Sequence, residues 1–282
     1  MKIFSEKKQI QKYAEQIRKN RETIGFVPTM GALHDGHLSL VEQALENNDK
    51  VVVSIFVNPT QFDNPEDLKK YPRTLKDDTD RLASVSKDIV VYAPSTDDIY
   101  EGHTVADTFS FDGLEEEMEG QFRAGHFDGV GTIVKRLFEI IRPHCAYFGE
   151  KDFQQLMIVK KLVEKYDIPV EIVGCEIHRE PSGLAMSSRN ERLKPQFREA
   201  APLIYKVLRT AKLKFGIESA NKVTEWVQEQ FDNQDLLKLE YFTIADTKTL
   251  KPIKRKTKKR NYRAFIAVYA DDIRLIDNIA LN

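Results

Sequence analysis

Two periods of hydrophobicity alternate along the N-terminal part of the chain. Short apolar runs rich in β-branched residues cover positions 24–27 and 51–57, and between them apolar residues recur at Leu38, Val41, Ala44 and Leu45. A short apolar run predicts a buried strand, whereas apolar residues three and four positions apart predict a helix with one buried face. Strand, helix and strand in this order form a βαβ unit, which predicts a doubly wound parallel sheet of the α/β class.

Further elements of both kinds follow the same patterns. A helix is predicted at 5–20 with Ser5 as its N-cap, and further strands are predicted at 89–93, 145–148 and 170–173. A turn at 129–131 is expected to lead into another amphipathic helix. Ligands of a doubly wound sheet bind beyond the carboxyl ends of its strands, so polar residues that follow a strand are candidate binding residues.

The pattern changes after about Lys194. Two helical segments at 196–214 and 219–231 precede strand-like runs, which lie at 239–245, 264–269 and 273–276. Helices followed by consecutive strands are typical of an α+β domain. We therefore expect an N-terminal α/β domain at 1–175 and a smaller C-terminal α+β domain at 176–282.

The composition is that of an ordinary globular protein. Of 282 residues, 41% are hydrophobic and 31% charged, and a formal net charge of -1 gives no overall field that would favour nucleic acid or membrane. Cys145 and Cys175 provide neither a disulfide framework nor the spacing of a metal site. The charged N-terminus is unlike a signal peptide and no apolar run has membrane length. We therefore expect a soluble cytoplasmic protein that binds neither nucleic acid nor membrane.

The stretch 23–41 carries the strongest candidate chemistry. It reads T-I-G-F-V-P-T-M-G-A-L-H-D-G-H-L-S-L-V, so His34 and His37 stand where a turn becomes a helix. The unpaired N–H groups and dipole of a helix start suit phosphate, and Gly36 permits a close approach of the backbone. The tetrapeptide alone is equally consistent with two surface histidines at a helix cap. The surrounding strand, turn and helix favour a nucleotide site, and the stretch resembles the H-x-G-H nucleotidyltransferase superfamily, whose members transfer AMP or CMP.

Polar side chains also follow two other predicted strands. Asn58, Thr60 and Gln61 come directly after the strand at 51–57, and the segment G-E-K-D-F-Q-Q begins at Gly149 after the strand at 145–148. In the second segment Lys151 can reach a phosphate as a point charge. Arg123, which precedes the 129–131 turn, is either an anion ligand or an ordinary surface arginine.

Four charged or polar stretches are interpreted with less chemistry. Asp77, Asp78 and Asp80 either complement a helix dipole or contact Mg²⁺. The residues at 187–190 either cradle a phosphate or cap a helix. The basic run at 248–263 either binds a polyanion or forms a solvated hairpin loop. The acidic cluster at 115–119 is expected to be a solvated face.

Six motifs occur in the order of one family: P-T-M-G-A-L-H-x-G-H, F-V-N-P-x-Q-F, Y-P-R-T, R-x-G-H-F-x-G-V, F-G-x-K-D-x-Q-Q and G-L-A-M-S-S-R-N. With these motifs and the C-terminal L-I-D-N, the chain resembles the pantoate–β-alanine ligase (pantothenate synthetase) family along essentially its whole length. The resemblance implies a Rossmann-like nucleotidyltransferase domain with a smaller C-terminal lid domain, commonly in a homodimer.

The resemblance also implies a two-step ligation. The carboxylate of pantoate attacks the α-phosphate of Mg-ATP, which gives pantoyl adenylate and pyrophosphate, and the amine of β-alanine then releases pantothenate and AMP. The first step brings several anions together, so it requires positioned cations and hydrogen-bond donors. Mg²⁺ enters with ATP, and no protein ligand is assigned to it.

Site residues follow from the matching positions. Catalytic roles are implied for His34, His37, Lys151 and Arg189, with His37 as the general acid. The implied ATP site consists of Met30, Gly31, Ala32, Leu33, His34, Asp35, Gly36, His37, Gly149, Glu150, Lys151, Asp152, His178, Met186, Ser187, Ser188 and Arg189. Gln61 and Gln155 are implied to hold pantoate, with Gln61 also near β-alanine, and Asn58 and Arg123 to support that pocket.

The chain departs from the family pattern at His178, where a small aliphatic residue is usual, at Ser182, where an acidic residue is frequent, and in its very basic 248–263 run. Two rival functions remain. One is a related H-x-G-H nucleotidyltransferase with a different acceptor, against which Gln61 and Gln155 argue. The other is a polyanion-binding protein that uses the basic run at 254–263, against which the near-zero net charge and the lack of an evident aromatic stacking platform argue.

Overall fold

The computed structural model describes residues 1–62 and 65–282, which form two compact units. The first unit comprises Met1–Glu150 and Gln154–Glu176, and the second comprises Lys151–Phe153 and Ile177–Asn282. The chain therefore enters the second unit for three residues, returns to the first, and enters the second again at Ile177.

The first unit is built on a six-stranded parallel sheet, as predicted. In sheet order the strands are β1 (Lys2–Phe4), β4 (Val90–Tyr92), β3 (Lys50–Ile55), β2 (Ile24–Thr29), β5 (Cys145–Gly149) and β6 (Glu171–Cys175). The sequence did not predict β1, because three residues are too few to show a period. Its register with β4 pairs Lys2 with Val90, so tertiary pairing alone makes this segment a strand.

Helices of the first unit cover both faces of the sheet, as in a doubly wound fold. They are α1 (Lys7–Lys19), α2 (Asp35–Asn47), α3 (Pro65–Lys70), α4 (Leu75–Val85), α5 (Thr96–Tyr100), α6 (Glu119–Phe122), α7 (His126–Ile141) and α8 (Phe153–Lys165). Short 3₁₀ turns lie at Pro59–Gln61, Leu114–Glu116 and Glu150–Asp152.

Two predictions about these helices are wrong. Ser5 is not the N-cap of α1, because Glu6 occupies that position and the Lys7 N–H donates instead to Oδ2 of Asp98, 2.8 Å away. The predicted turn at 129–131 lies inside α7. Glycine is a weak helix former, but here it allows neighbouring chain to pack directly on the helix backbone, and that packing overrides the local preference.

The second unit contains a three-stranded antiparallel sheet and three helices. The strands are β7 (Leu237–Asp246), β8 (Tyr262–Ala270) and β9 (Ile273–Ala280), in that order. The helices are α9 (Pro195–Ala200), α10 (Leu203–Ile217) and α11 (Ala220–Asp232). The predicted helix at 196–214 is divided because Pro202, which lacks an N–H group, stands at the N-cap of α10. This unit matches the predicted smaller α+β domain.

The basic run lies in the loop between β7 and β8, where residues 254–260 are exposed. The ammonium of Lys256 lies 4.1 Å from the centre of the Phe215 ring, which ties the loop to α10. The hairpin-loop interpretation describes this geometry, and polyanion binding stays untested. Among the described residues, no helix is both long enough and apolar enough to cross a lipid bilayer.

Candidate active site

The strand order identifies where a ligand would bind to the first unit. The chain passes from β2 to β3 on one side, whereas β5 pairs with β2 on the other side. The carboxyl ends of β2 and β5 therefore flank the point at which the strand order reverses, where doubly wound sheets bind their ligands. Residues 30–37 leave β2 at this point, and Gly149 ends β5 there.

The loop 30–33 has an unusual backbone that a buried aspartate holds in place. Gly31 and Ala32 both have positive φ, at +80° and +50°. The N–H of Leu33 donates to Oδ1 of Asp78 (2.7 Å), and the N–H of Ala32 donates to Oδ2 (3.1 Å). Asp78 is only 1% exposed. Each hydrogen bond to a charged acceptor contributes about 1.5–3 kcal/mol, which offsets the cost of the left-handed residues.

Neither interpretation of Asp78 drawn from the sequence anticipated this role. Oδ2 also accepts a hydrogen bond from the Thr74 hydroxyl, at 3.3 Å, so both oxygens of Asp78 are engaged within the protein. Asp77, by contrast, is exposed. A cavity of about 330 Å³ borders Gly31 and Asp78, so the carboxylate, rather than close packing, holds this side of the loop.

The two histidines of H-D-G-H stand at the start of α2, as predicted. His34 is the N-cap, and its N–H donates to Nδ1 of His37 at 3.3 Å. The two rings are 4.0 Å apart between centroids and inclined by 35°. Because Nδ1 of His37 accepts a hydrogen bond, the proton of the neutral ring lies on Nε2, which is then a donor. Both side chains are partly accessible.

Gln61 is held from both its side chain and its main chain. Its Oε1 accepts a hydrogen bond from Nδ2 of Asn58 at 3.2 Å, and its Nε2 lies 3.0 Å from Sδ of Met30. Its main-chain carbonyl accepts from Nδ1 of His126 at 2.8 Å. These contacts bring the predicted substrate residue Gln61 against the predicted ATP-site residue Met30.

Asn58 uses its whole hydrogen-bonding capacity inside the protein. Besides Gln61, its Nδ2 donates to the carbonyl of Gly129 (3.1 Å), and its Oδ1 accepts from the hydroxyls of Tyr100 and Thr60. Asn58 is 1% exposed, and burial raises the pKa of the Tyr100 hydroxyl, which keeps that donor protonated. The geometry suits Asn58 to orient Gln61, while direct contact with substrate stays a prediction.

His126 links Gln61 to Arg123 and was missed as a site residue. A carbonyl only accepts, so Nδ1 of His126 carries the proton that it shares with Gln61. Nη1 of Arg123 lies 3.0 Å from Nε2, which therefore accepts from the guanidinium. This arrangement requires neutral His126 in one tautomer. The R-x-G-H motif contained the signal, but the spacing does not reveal that the imidazole faces Gln61.

Gly129 lets α7 approach the turn that carries Gln61. A Cβ at this position would lie 2.2 Å from the Thr60 carbonyl oxygen and 2.6 Å from Cα of Gln61. Real Cβ atoms do not come this close to backbone atoms, so the packing of α7 on the 59–61 turn requires glycine.

The neighbouring glutamines at 154 and 155 have different environments. Gln154 is buried; its Oε1 accepts from the Glu119 N–H at 3.0 Å, and its Nε2 donates to the carbonyls of Leu114 and Glu117 at 2.8 Å each. These bonds bury Glu119, so the expectation of a solvated acidic face is wrong for that residue. Gln155 is half-buried, and its contact with pantoate stays a prediction.

The second unit contains the remaining predicted ATP-site residues. Ser187 is the N-cap of a 3₁₀ turn at Ser188–Arg192, and its hydroxyl accepts from the Arg189 N–H at 3.3 Å. The capping interpretation is therefore correct in kind, although Ser187 rather than Ser188 is the cap. The carbonyl of His178 accepts from the Met186 N–H at 3.0 Å. The His178 side chain is exposed, so this departure from the family pattern leaves the packing undisturbed.

Lys151 and Asp152 also belong to the second unit. The ammonium of Lys151 lies 3.7 Å from Oδ1 of Asp152, and the Lys151 side chain is 19% exposed. Among the described residues, no cluster of three or more His, Cys, Asp or Glu side chains could hold a metal ion.

Comparison with known proteins agrees with this geometry. The profile of the family described as Pantoate-beta-alanine ligase matches residues 2–280. The pantothenate synthetases of Flavobacterium psychrophilum and Christiangramia forsetii are each 58% identical to this chain, over 100% of both chains. The crystal structure of the Thermus thermophilus pantothenate synthetase has a TM-score of 0.92 at 38% identity and covers 100% of this chain and 99% of its own.

A fourth relative was solved with ligands. The pantoate-beta-alanine ligase of Francisella tularensis, complexed with beta-gamma ATP and beta-alanine, has a TM-score of 0.81 at 37% identity and covers 100% of this chain and 98% of its own. These matches extend over the whole length of the chain, which excludes an assignment on the H-x-G-H motif alone. The fold, the helix-cap histidines and the full-length matches together show that the chain is an enzyme of the pantoate–β-alanine ligase family.

Proposed function

We propose that this enzyme condenses pantoate with β-alanine in an ATP-dependent reaction that passes through pantoyl adenylate. A carboxylate oxygen of pantoate forms a bond to the α-phosphorus of ATP as the bond to pyrophosphate breaks. The amine of β-alanine then forms the amide bond as AMP leaves. The Francisella tularensis relative, solved with beta-gamma ATP and beta-alanine, supports both the nucleotide and the amine.

The observation that carries the proposal is the hydrogen bond from the His34 N–H to Nδ1 of His37. It leaves Nε2 of His37 as a donor at the start of α2, where the helix dipole also favours negative charge. A donor placed in advance stabilises charge that develops on the transferring phosphoryl group without reorganisation. His37 thereby serves as the hydrogen-bond and proton donor to the phosphates, beside His34.

The other roles follow the arrangement within each unit. In the first unit, residues 30–37 with Gly149 and Glu150 bind ATP, while Gln61, Gln155 and Arg123 bind pantoate, with Asn58 and His126 holding Gln61. In the second unit, Lys151 and Arg189 provide cations for the phosphates, and Asp152, Met186, Ser187, Ser188 and the main chain of His178 contact the nucleotide. Mg²⁺ accompanies ATP as its counter-ion and neutralises phosphate charge. We also propose a cytoplasmic homodimer.

The reaction is tested by adding substrates in sequence. Pyrophosphate should appear when ATP and pantoate are present, and AMP only after β-alanine is added. Pyrophosphate release that does not depend on pantoate would indicate another acceptor and refute the proposal.

The role of His37 is tested with two isosteric variants. In His37→Asn the amide oxygen can still accept from the His34 N–H, but no donor occupies the position of Nε2, so pyrophosphate release should slow by about 10²-fold. His37→Gln places an amide N–H near that position and should retain more activity. His103→Asn, at an exposed histidine, is the control. If His37→Asn released pyrophosphate at the wild-type rate, Nε2 would have no part in the mechanism.

A further inference from the structure

A buried polar pair in β9 has no role in the function proposed above. Asp277 is 4% exposed and Asn278 is 1% exposed, and both belong to the L-I-D-N segment near the C-terminus. Two adjacent buried polar side chains would destabilise a strand unless each were hydrogen-bonded. Their partners therefore indicate what the pair is for.

Asn278 binds the main chain of Lys151. Its Nδ2 donates to the carbonyl oxygen of Lys151 at 2.9 Å, and its Oδ1 accepts from Nη1 of Arg263. A guanidinium only donates, so Arg263 determines which end of the amide is the oxygen and turns the N–H group toward Lys151. The orientation of the Asn278 amide is thus dictated by its surroundings.

The same part of the sheet holds the rest of the 151–153 segment. The guanidinium of Arg263 lies 4.2 Å from the centre of the Phe153 ring, and the Phe153 and Phe265 rings are 5.8 Å apart. Phe265 pairs with Asn278 across the two strands. Residues i and i+2 of a strand share a face, so Arg263, Phe265 and Asn278 form one surface of β8 and β9. The Lys151–Phe153 segment accordingly belongs to the compact second unit.

Asp277 makes Asn278 rigid. It binds the guanidinium of Arg179 through both oxygens, at 2.7 and 2.9 Å, and its Oδ1 accepts from the Asn278 N–H at 2.7 Å. Arg179 in turn stacks 3.7 Å from the centre of the Tyr205 ring. An asparagine surrounded by such contacts is a fixed reference point rather than an adaptable one.

We propose that Asn278 is a positioning residue for Lys151: by holding the Lys151 carbonyl, it sets the place from which the lysine ammonium reaches the phosphates of ATP. The inference rests on the proposed role of Lys151. A lysine side chain has four rotatable bonds, so the position of its backbone decides which sites the ammonium can occupy at little entropic cost. A displacement of about 1 Å in a positioned group can lower a rate by about 10²-fold.

A double-mutant cycle tests the inference. Lys151→Ala removes the ammonium but leaves the carbonyl that Asn278 binds. Asn278→Ala should slow pyrophosphate release from ATP and pantoate by about 10- to 100-fold in the wild-type background and have little further effect in the Lys151→Ala background. The KM for pantoate should not change.

Asn282→Ala is the matched control. Asn282 also donates to a main-chain carbonyl, that of Arg260 at 2.9 Å, and accepts from the Tyr262 N–H at 2.7 Å, so it makes the same kinds of bond in the same unit. Its loss should leave pyrophosphate release unchanged. Should Asn278→Ala fail to fold, Asn278→Asp keeps an acceptor for Arg263 and removes only the donor to Lys151, and it should slow release in the same way.

The outcomes separate this inference from the proposed function. A wild-type rate in Asn278→Ala, or an equal slowing in the presence and absence of the Lys151 side chain, would overturn the positioning role while leaving the ligase reaction intact. A wild-type rate in Lys151→Ala would instead refute the role proposed for Lys151 itself.

Discussion

Replacing Gly129 with alanine perturbs the site through a single added methyl group. The new Cβ would lie 2.2 Å from the Thr60 carbonyl oxygen, whereas an ordinary van der Waals contact begins at 3.4 Å. The atoms it meets belong to the backbone of Thr60 and Gln61 and cannot turn aside as a flexible side chain would. Helix α7 and the 59–61 turn must therefore separate by about 1 Å.

The size of the effect follows from two opposing terms. Alanine is favoured over glycine in a helix by about 1 kcal/mol, whereas overpacking costs about 1–3 kcal/mol. We expect a net loss of stability of up to about 2 kcal/mol. The displacement acts on Gln61, whose side chain and carbonyl are held by Asn58 and His126. A shift of about 1 Å there should lower kcat/KM for pantoate by about 10²-fold.

Urea unfolding measures the first effect, and pyrophosphate release at varied pantoate and saturating ATP measures the second. Gly216→Ala in α10 is the control, because no described atom lies within 4 Å of its added Cβ. The control should gain about 1 kcal/mol of stability without any change in pantoate kinetics. Wild-type pantoate kinetics in Gly129→Ala would refute the reasoning that the close approach of α7 places Gln61.

Two further predictions concern buried ionisable groups. Asp78→Asn should lower the free energy of unfolding by about 2 kcal/mol and raise the KM for ATP, because the new amide N–H group faces the donors that Asp78 now accepts from; urea unfolding and kinetics against exposed Asp77→Asn check this, and equal effects would mean that the helix dipole explains both residues. Burial, with Glu150 nearby, raises the pKa of the Cys175 thiol from 9.0 to about 11. The unfolded thiol ionises first, so this stabilisation is complete below pH 9 and is lost between pH 9 and 11, at up to about 1.4 kcal/mol per pH unit. Unfolding of Cys175→Ala should show a correspondingly flatter decline over that range, and an unchanged decline would contradict it.

Local patterns were sufficient for the main elements of the first unit. The β-branched run at 51–57 became β3, and the apolar spacing after His37 became α2, because both patterns extend over enough residues to outweigh chance. Local patterns failed where tertiary packing overrides preference. Gly129 and Gly131 resemble a turn in sequence but lie in α7, where the neighbouring chain packs directly against them.

The sequence by itself determined the fold class, the family and the position of the two histidines at the start of α2. Periodicity and motif order are properties of consecutive residues, so they can be read without coordinates. Only the tertiary structure decided which polar groups meet. Asp78 binds the N–H of Leu33 across 45 positions, His126 binds the carbonyl of Gln61 across 65, and Asn278 binds that of Lys151 across 127. These pairings depend on strand order, register and packing, because a hydrogen bond forms only between atoms that the whole fold brings within about 3 Å.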